Sequence, residues 1–150
     1  MSEVTRIVAH LNDGKILKGT TQDFFPNRLS FHVIPSDGGP AVEIRCKLMK
    51  ALFFVKDFAG NPTRRDLAGF VAGPAETGQG KKIAVRFKDG ELMCGYSLSY
   101  MPDRDGFFVF PSDKDNNNLR VYVVTASTAE VKAGPVADAL VQRILAERGG

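Results

Sequence analysis

The sequence has little of the chemistry from which catalytic and metal sites are built. It contains no tryptophan, two histidines and two cysteines. It lacks a phosphate-binding glycine loop, a dinucleotide glycine fingerprint after a strand, and a Gly-x-Ser-x-Gly motif. It also has no CxxC pair and no Cys/His cluster, which argues against a structural zinc site. We therefore expect a protein that is not an enzyme and that needs no metal or cofactor.

Long apolar runs are also missing. No stretch approaches the roughly 20 apolar residues that span a bilayer, and the N-terminus has no signal-peptide pattern. Cys46 and Cys94 lie in separate apolar runs, so free thiols are expected. These absences predict a cytoplasmic protein without a membrane partner.

Neither sign of charge dominates. The chain has 20 Lys and Arg against 17 Asp and Glu, with a net charge of +3. A strongly basic domain would favour phosphate backbones as partners. This balance permits a nucleic-acid partner without requiring one, while 43% hydrophobic residues and eleven phenylalanines supply an ordinary core.

The sequence does contain an internal repeat. Residues 13–37, DGKILKGTTQDFFPNRLSFHVIPSD, align without a gap on residues 89–113, DGELMCGYSLSYMPDRDGFFVFPSD, at an offset of 76. Ten of the 25 positions are identical. Most of the identical residues are of turn and core types, which indicates a duplicated structural unit.

Each copy is predicted to form five short strands. Residues 5–11 alternate apolar and polar side chains, as a half-buried strand does, and Asn12-Asp13-Gly14 is a turn signal. Gly19 and Gly95, inside the second strands, predict a bulge or sharp bend. The predicted strands are 5–11, 15–25, 30–34, 42–46 and 52–56, then 82–88, 92–100, 106–110, 119–125 and 128–132.

Five short, bent antiparallel strands usually close into a small barrel, which removes exposed edges. We predict a mainly β protein of two tandem five-stranded barrels, or one fused sandwich. The first barrel covers 1–56 and the second 81–132, with a connector over 57–80 and a C-terminal segment over 133–150. Apolar residues at helical spacing predict an amphipathic helix over 136–147 that covers an open face or a partner.

Arg28 and Arg104 are the first candidate site residues, because both copies have an arginine after a proline turn. A guanidinium presents a planar fork that suits phosphate or carboxylate, so the pair would form an anion grip. Alternatively, each arginine pairs with Asp23, Asp103 or Asp105 on the surface, which is the favoured interpretation.

Asn116, Asn117, Asn118 and Arg120 form the most polar tip of the chain. A hairpin loop is the default interpretation of an asparagine run, although amides beside an arginine would also suit a base or a nucleotide. The strand aromatics are more readily core residues than a stacking platform. For His10 and His32 we favour packed or half-exposed strand positions over catalytic ones.

The order of apolar strand, Asp-Gly turn, glycine-containing strand, proline turn and third strand resembles the first motif of Sm-like proteins. The resemblance covers residues 7–33 and 83–109. It implies a bent five-stranded, SH3-like small barrel and assembly into rings that bind RNA. The family's Asp and Asn, spaced four apart at the RNA site, match Asp23 and Asn27. Ser99 and Asp103 occupy these positions in the second copy.

Over nearly its full length the chain also resembles a group of bacterial proteins and appended domains of unknown function. LMKALFFVKDFAGN between the copies and NNLRVYVV in the second copy carry this resemblance. It implies a bacterial source and gives no biochemical role.

These observations favour a binding or assembly module. Its expected partner is a protein or its own copies, joined through the C-terminal helix and a strand edge. The alternative is binding of RNA or a nucleotide through a polar, basic rim formed by Asn27, Arg28, Arg104 and the 116–120 segment. A weaker hypothesis, binding of a cyclic dinucleotide, rests on Arg64-Arg65 alone.

Overall fold

The computed structural model describes residues 5–25, 28–55, 76–77, 80–98, 100–101, 103–111 and 118–149. The first half of the chain contains strands β1 (Thr5–Leu11), β2 (Ile16–Thr21), β3 (Ser30–Pro35), β4 (Val42–Arg45) and β5 (Met49–Val55). The two-residue strand β6 (Glu76–Thr77) follows. The second half contains β7 (Gly80–Phe87), β8 (Leu92–Ser97), β9 (Gly106–Pro111), β10 (Asn118–Val124), β11 (Thr128–Ala133) and helix α1 (Pro135–Gly149).

All pairings are antiparallel, and ten strands form one open sheet in the order β11-β7-β8-β9-β10-β5-β1-β2-β3-β4, with β6 beside β7. The predicted mainly β fold and C-terminal helix are confirmed. The prediction of two closed barrels is wrong, because β5 pairs with β1 on one side and with β10 on the other. The last strand of the first half is therefore joined to the second half and does not close its own barrel.

The central strands β5 and β10 are buried on both faces. Alternate residues of each strand enter different apolar clusters, which we call the first and second cores after the half that supplies most of the residues. Leu52 and Phe54 lie in the first core with Tyr122 and Val124. The second core receives the other faces of both strands: Ala51, Phe53, Val55, Val121 and Val123. Each half thus completes the core of the other.

The two halves have the same strand registers. In the first half, Gly19 pairs with Ile7 on one side and with Pro35 on the other. In the second half, Gly95 pairs with Ile83 and Pro111, which are the residues 76 positions further along the chain. Beyond that strand the offset becomes 79, because β10 (Asn118–Val124) has three more residues at its start than β4 (Val42–Arg45). The pair Phe31–Ile44 of the first half thus corresponds to the pair Phe107–Val123 of the second. In the same way, the pair Ile7–Phe54 corresponds to the pair Ile83–Ala133. Counterpart residues below are defined by these offsets.

The observed ends of two strands differ from the predicted ends, at positions where a side chain forms a hydrogen bond with the neighbouring strand. The second strand ends at Thr21 and not at residue 25, because the Thr21 hydroxyl donates to the His32 carbonyl oxygen (2.8 Å). In the second half Ser97 donates to the Phe108 carbonyl oxygen in the same way (2.6 Å). Gly19 marks a close approach and not a bulge, since a Cβ there would collide with the Ile34 carbonyl oxygen.

The helix α1 follows β11 through a tight turn at Gly134, whose φ of 75° suits glycine. The Gly134 N–H donates to the Lys82 carbonyl oxygen (2.8 Å), which holds the start of the helix against β7. No helix among the described residues is long and apolar enough to cross a membrane. Cys46 and Cys94 are free thiols, as predicted.

Candidate functional site

Helix α1 covers the outer face of β7 and β8, where it forms a third apolar cluster. The cluster joins small and branched side chains of the sheet to one side of the helix: Ala84, Leu92 and Cys94, with Ala137, Leu140, Val141 and Ile144. Full burial of each leucine, isoleucine or valine contributes roughly 1.5–3 kcal/mol. Apolar burial is therefore the main source of stability for this helix–sheet contact.

Ion pairs fix the direction of α1 on this face. Lys82 Nζ lies 3.3 Å from Asp138 Oδ2 in the first turn, and Arg86 Nη1 lies 3.8 Å from Glu147 Oε2 near the helix end. Asp138 and Glu147 are nine residues apart on the helix, a rise of about 13.5 Å. Their partners Lys82 and Arg86 are four residues apart on β7, a span of about 13 Å. The two distances match, so the helix runs parallel to β7.

The corresponding outer face of the first half has the same strand pairing as the face beneath α1, but α1 does not cover it. We call it the open face and define it by the outward residues of β1, β2 and β3: Arg6, Val8, Ile16, Lys18, Thr20 and Ile34. Val8, at one side of this face, is half-buried and packs against the second core. Cross-strand pairs join Val8 to Lys18 and Thr20 to both Arg6 and Ile34. Ile16 is 58% exposed, whereas its counterpart Leu92 is 8% exposed beneath α1. Ile34 is 50% exposed.

His10 borders the open face at the position that corresponds to Arg86. It is half-buried, with its ring centroid 4.5 Å from that of Phe53. Burial lowers the pKa of His10, which favours the neutral ring. The open face therefore has a histidine where the second half has Arg86, the residue that meets Glu147 near the end of α1. The packed interpretation of this histidine agrees with the structure.

Asp23 is engaged within its own half. Its Oδ1 accepts hydrogen bonds from the His32 N–H (2.8 Å) and the Thr21 hydroxyl (3.2 Å), and its Oδ2 lies 2.7 Å from His32 Nδ1. The contact with Asp23 raises the pKa of His32. Partial burial opposes a low pKa at Asp23, but the hydrogen bonds from His32 outweigh it and lower the pKa. Asn27, the other residue of the Sm-type pair, lies outside the described residues.

Arg120 lies across two aromatic rings at the seam between the halves. Its guanidinium carbon is 4.5 Å from the ring centroid of Phe54 and 4.6 Å from that of Phe108. In the described part of the chain, no hydrogen bond or ion pair engages its N–H groups. The side chain of Asn118 and all of Asn116 and Asn117 lie outside that part, as does the Arg64-Arg65 pair.

Arg28 and Arg104 occupy matching turns. The Arg28 N–H donates to the Phe25 carbonyl oxygen (3.0 Å), and the Arg104 N–H donates to that of Met101 (3.1 Å). The Arg28 guanidinium lies 5.1 Å from the Phe25 ring centroid. Among the described residues, neither arginine forms an ion pair with an aspartate. No described contact joins Arg28, Arg104, Arg120 and Asp23 into one cluster.

The outer edges of the sheet differ from the seam between the halves. Tyr122 and Val124 of β10 are buried in the first core, but their counterparts on the edge strand β4 are Glu43 and Arg45, both exposed. Ala51 and Phe53 of β5 are buried in the second core, and their counterparts on β11 are Glu130 and Lys132. At these positions the two outer edge strands therefore have charged residues, whereas the strands of the seam have apolar ones.

No residue of the open face was among the candidate site residues predicted from the sequence. The 76-residue offset contained the signal, because it places Ile16 on Leu92 and Val8 on Ala84. What the sequence did not show is that α1 packs on only one of the two matching faces. The candidate residues chosen from the sequence were polar, whereas the distinctive feature of the open face is exposed apolar area.

Comparison with known proteins supplies a family without a biochemical role. A search of curated proteins and a search of solved structures gave no match. A family model described as a family of unknown function, DUF6982, matches residues 3–134, which include both halves of the sheet. The likeness to Sm-like proteins is not confirmed by this match. The chain belongs to the DUF6982 family of unknown function.

Proposed function

We propose that this chain is a non-enzymatic protein-binding module and that the open face is its binding surface. A single observation carries the proposal. The face that α1 covers in the second half has a counterpart in the first half on which Ile16 is 58% exposed, and Ile34 of the neighbouring strand β3 is 50% exposed.

Isolated exposed apolar residues are common on protein surfaces and need no explanation. The open face is distinguished by its backbone. Its strands have the registers that seat α1 in the second half. A partner that buries Ile16 fully would gain roughly 1.5–3 kcal/mol from that residue. The surface is thus suited to a packed protein contact.

Binding through the sheet edges is less favoured by the geometry. A second copy that extended the sheet as the seam does would place Glu43 and Arg45 in one core and Glu130 and Lys132 in another. Burial of a charge without a matched partner is costly. Self-association through edges stays a prediction, and the open face is the better candidate.

The test is a comparison of partners between matched variants. Tagged full-length chain is purified from its native host as wild type, Ile16→Lys, Ile34→Lys and Leu145→Lys. Leu145 is a control because it is 42% exposed on α1, away from the open face. Specific partners should be lost from the first two variants and retained by the third. Retention by all variants would overturn the proposal.

Binding of RNA or a nucleotide is the second candidate, and Arg120 is the observation that favours it. Two rings hold the guanidinium plane while its N–H groups stay unengaged by the described residues. Such a group suits a phosphate, and aromatic neighbours suit a base. Residues 112–117, which precede β10 in the sequence, lie outside the described residues.

This candidate is tested by absorbance and by titration. Protein that carries nucleic acid would show a raised 260/280 ratio, which should fall in Arg28→Ala/Arg104→Ala and in Arg120→Ala. A labelled oligoribonucleotide should bind at low salt and weaken steeply as salt rises. No binding at low salt would exclude this function and leave the protein-binding proposal standing.

A further inference from the structure

We propose that Asp13 and Asp37 are sites of spontaneous covalent modification, at which aspartate rearranges to isoaspartate, and that Lys50 protects Asp89 from the same change. The proposal goes beyond the proposed function, because it concerns the chain itself and does not depend on a partner. It rests on three turns that share the same hydrogen bonds and on the ion pair that distinguishes one of them.

The rearrangement exchanges bonds within the chain and needs only water. The backbone nitrogen of the residue after aspartate attacks the side-chain carboxyl carbon. The carboxyl OH leaves with the amide proton as water, and a five-membered succinimide ring remains. Water then opens the ring at either carbonyl, which restores aspartate or gives isoaspartate, whose main chain is one carbon atom longer. A following glycine favours the attack because it has no side chain to obstruct it.

Three Asp-Gly pairs of this chain lie in turns of the same geometry. In each turn the glycine N–H donates to the carbonyl oxygen three residues earlier, over 3.1 Å for Gly14 and Gly38 and 2.9 Å for Gly90. The φ angles of these glycines are 92°, 87° and 93°. Oδ1 of each aspartate accepts a hydrogen bond of 3.0 Å from the backbone N–H two residues on. This bond folds the carboxyl group over the peptide bond at which the ring would close.

The second carboxylate oxygen distinguishes Asp89 from Asp13 and Asp37. Asp89 Oδ2 lies 2.7 Å from Lys50 Nζ, so both of its oxygens are held. The hydrogen bond from Lys50 lowers the pKa of Asp89, which disfavours the neutral carboxyl group that loses its OH. Asp13 and Asp37 are exposed, and among the described residues no ion pair engages either carboxylate. Ring closure is therefore hindered at Asp89 alone of the three.

The fourth Asp-Gly pair, Asp105-Gly106, has a different environment. Gly106 is the first residue of β9, and a Cβ built on it would collide with the Tyr122 side chain. The Tyr122 ring thus packs directly against the backbone that would have to move in the attack. The dipeptide alone would give all four pairs the same reactivity, whereas the structure selects two, both in the first half.

Modification at Asp13 would alter the hairpin that carries part of the open face. Asp13 lies between β1 and β2, and Ile16 is the first residue of β2. Two backbone hydrogen bonds close this turn, from Gly14 to the Leu11 carbonyl oxygen and from Leu11 to the Lys15 carbonyl oxygen. An added main-chain carbon between them lengthens the turn, so the modified chain should unfold at a lower urea concentration.

The test follows isoaspartate during prolonged incubation of the folded full-length chain at neutral pH. An isoaspartate-specific methyltransferase labels the product, and mass spectrometry of peptides assigns it to each position. In the wild type, isoaspartate should accumulate at positions 13 and 37 and several-fold more slowly at positions 89 and 105.

Variants of Lys50 test the protection of Asp89. Lys50→Met should raise the rate at position 89 several-fold and leave position 105 unchanged, whereas Lys47→Met, an exposed control, should change neither. Position 105 distinguishes loss of the ion pair from general loosening of the fold. The proposal is overturned if positions 13 and 37 stay unmodified, if position 89 reacts as fast as they do in the wild type, or if Lys50→Met raises position 89 no more than position 105.

Discussion

His32 and Asp23 form a short polar contact on the exposed side of β2 and β3. Because hydrogen bonding to Asp23 raises the pKa of His32, the protonated ring stabilises the folded chain. For a raised pKa, that contribution is complete below the pKa of the unfolded chain. It is lost as pH rises through the higher pKa of the folded chain.

Replacement of Asp23 by Asn should lower the pKa of His32, because the amide keeps the shape of the carboxylate without its charge. The imidazole resonances of both histidines, followed by NMR against pH, measure this directly. His10 is an internal control, since its pKa lies below the ordinary value for a different reason, burial. A His32 pKa at or below the ordinary histidine value in the wild type would contradict the assignment.

Gly19 and Gly95 occupy counterpart positions that a neighbouring strand approaches closely. A Cβ at either residue would meet a carbonyl oxygen of the neighbouring strand, that of Ile34 or Phe110. Alanine at either position should therefore destabilise the chain by about 1–3 kcal/mol in urea unfolding, the usual cost of overpacking. Gly39→Ala is the control, because only the end of the Asp37 side chain and a Pro35 ring atom lie within 4 Å. Equal stability of all three variants would contradict this account of the close approach.

At the scale of elements, Lys50 of β5 joins the first half to the turn between β7 and β8. Its Nζ lies 2.7 Å from Asp89 Oδ2 and 2.9 Å from Glu91 Oε1. Burial lowers the pKa of Lys50, but the hydrogen bonds with Asp89 and Glu91 outweigh this effect and raise it. The bond from Lys50 lowers the pKa of Asp89. The counterpart of Lys50 is Ala129, so the contact belongs to the seam alone.

Replacement of Lys50 by Met should lower the free energy of unfolding by about 1 kcal/mol at pH 7. The estimate stays small because both carboxylates are at least half exposed. Since a lowered carboxyl pKa stabilises only above the unfolded pKa, the difference from wild type should vanish as pH falls through the pKa of Asp89. Chemical unfolding between pH 3 and pH 7 measures it, with Lys47→Met as the exposed control. A pH-independent difference would contradict the ion-pair assignment.

Strand and turn positions were predictable from local chemistry, but the topology was not. Period-two alternation and the Asp13-Gly14 and Asp89-Gly90 turns identify β1, β2, β7 and β8. The signal for the seam was present in β5, where Met49–Val55 reads as a nearly continuous apolar run. A strand buried on both faces has this composition, whereas a strand that closes a small barrel needs only one apolar face. The end of β2 depends on Thr21 and Asp23 reaching His32, a contact that local patterns do not reveal.

At the scale of the whole molecule, the shared seam means that neither half has a complete core alone. Removal of the second half would expose Phe54 and Phe53 on opposite faces of β5. The outer edges end the sheet with charges, a known means of preventing edge-to-edge association. The charges therefore disfavour extension of the sheet by a second copy, and the binding surface that we propose is the open face.

Replacement of the edge charges by the corresponding seam residues should make the chain assemble end to end. The variant is Glu43→Tyr, Arg45→Val, Glu130→Ala and Lys132→Phe, which copies Tyr122, Val124, Ala51 and Phe53. Size-exclusion chromatography with light scattering should show higher oligomers for this variant and a monomer for the wild type. A control with glutamine at all four positions should stay monomeric. An assembled wild type, or a monomeric seam copy, would contradict the role of the charges.

Photo-crosslinking from the open face tests most directly whether this surface binds a protein. Benzoyl-phenylalanine is placed at position 16 or 34 of the full-length chain in its native host, and at position 136 or 145 as controls on exposed sites of α1. We predict a discrete protein adduct from positions 16 and 34 that is absent from positions 136 and 145. No adduct from these positions, or the same adducts from all four, would contradict the proposed binding surface.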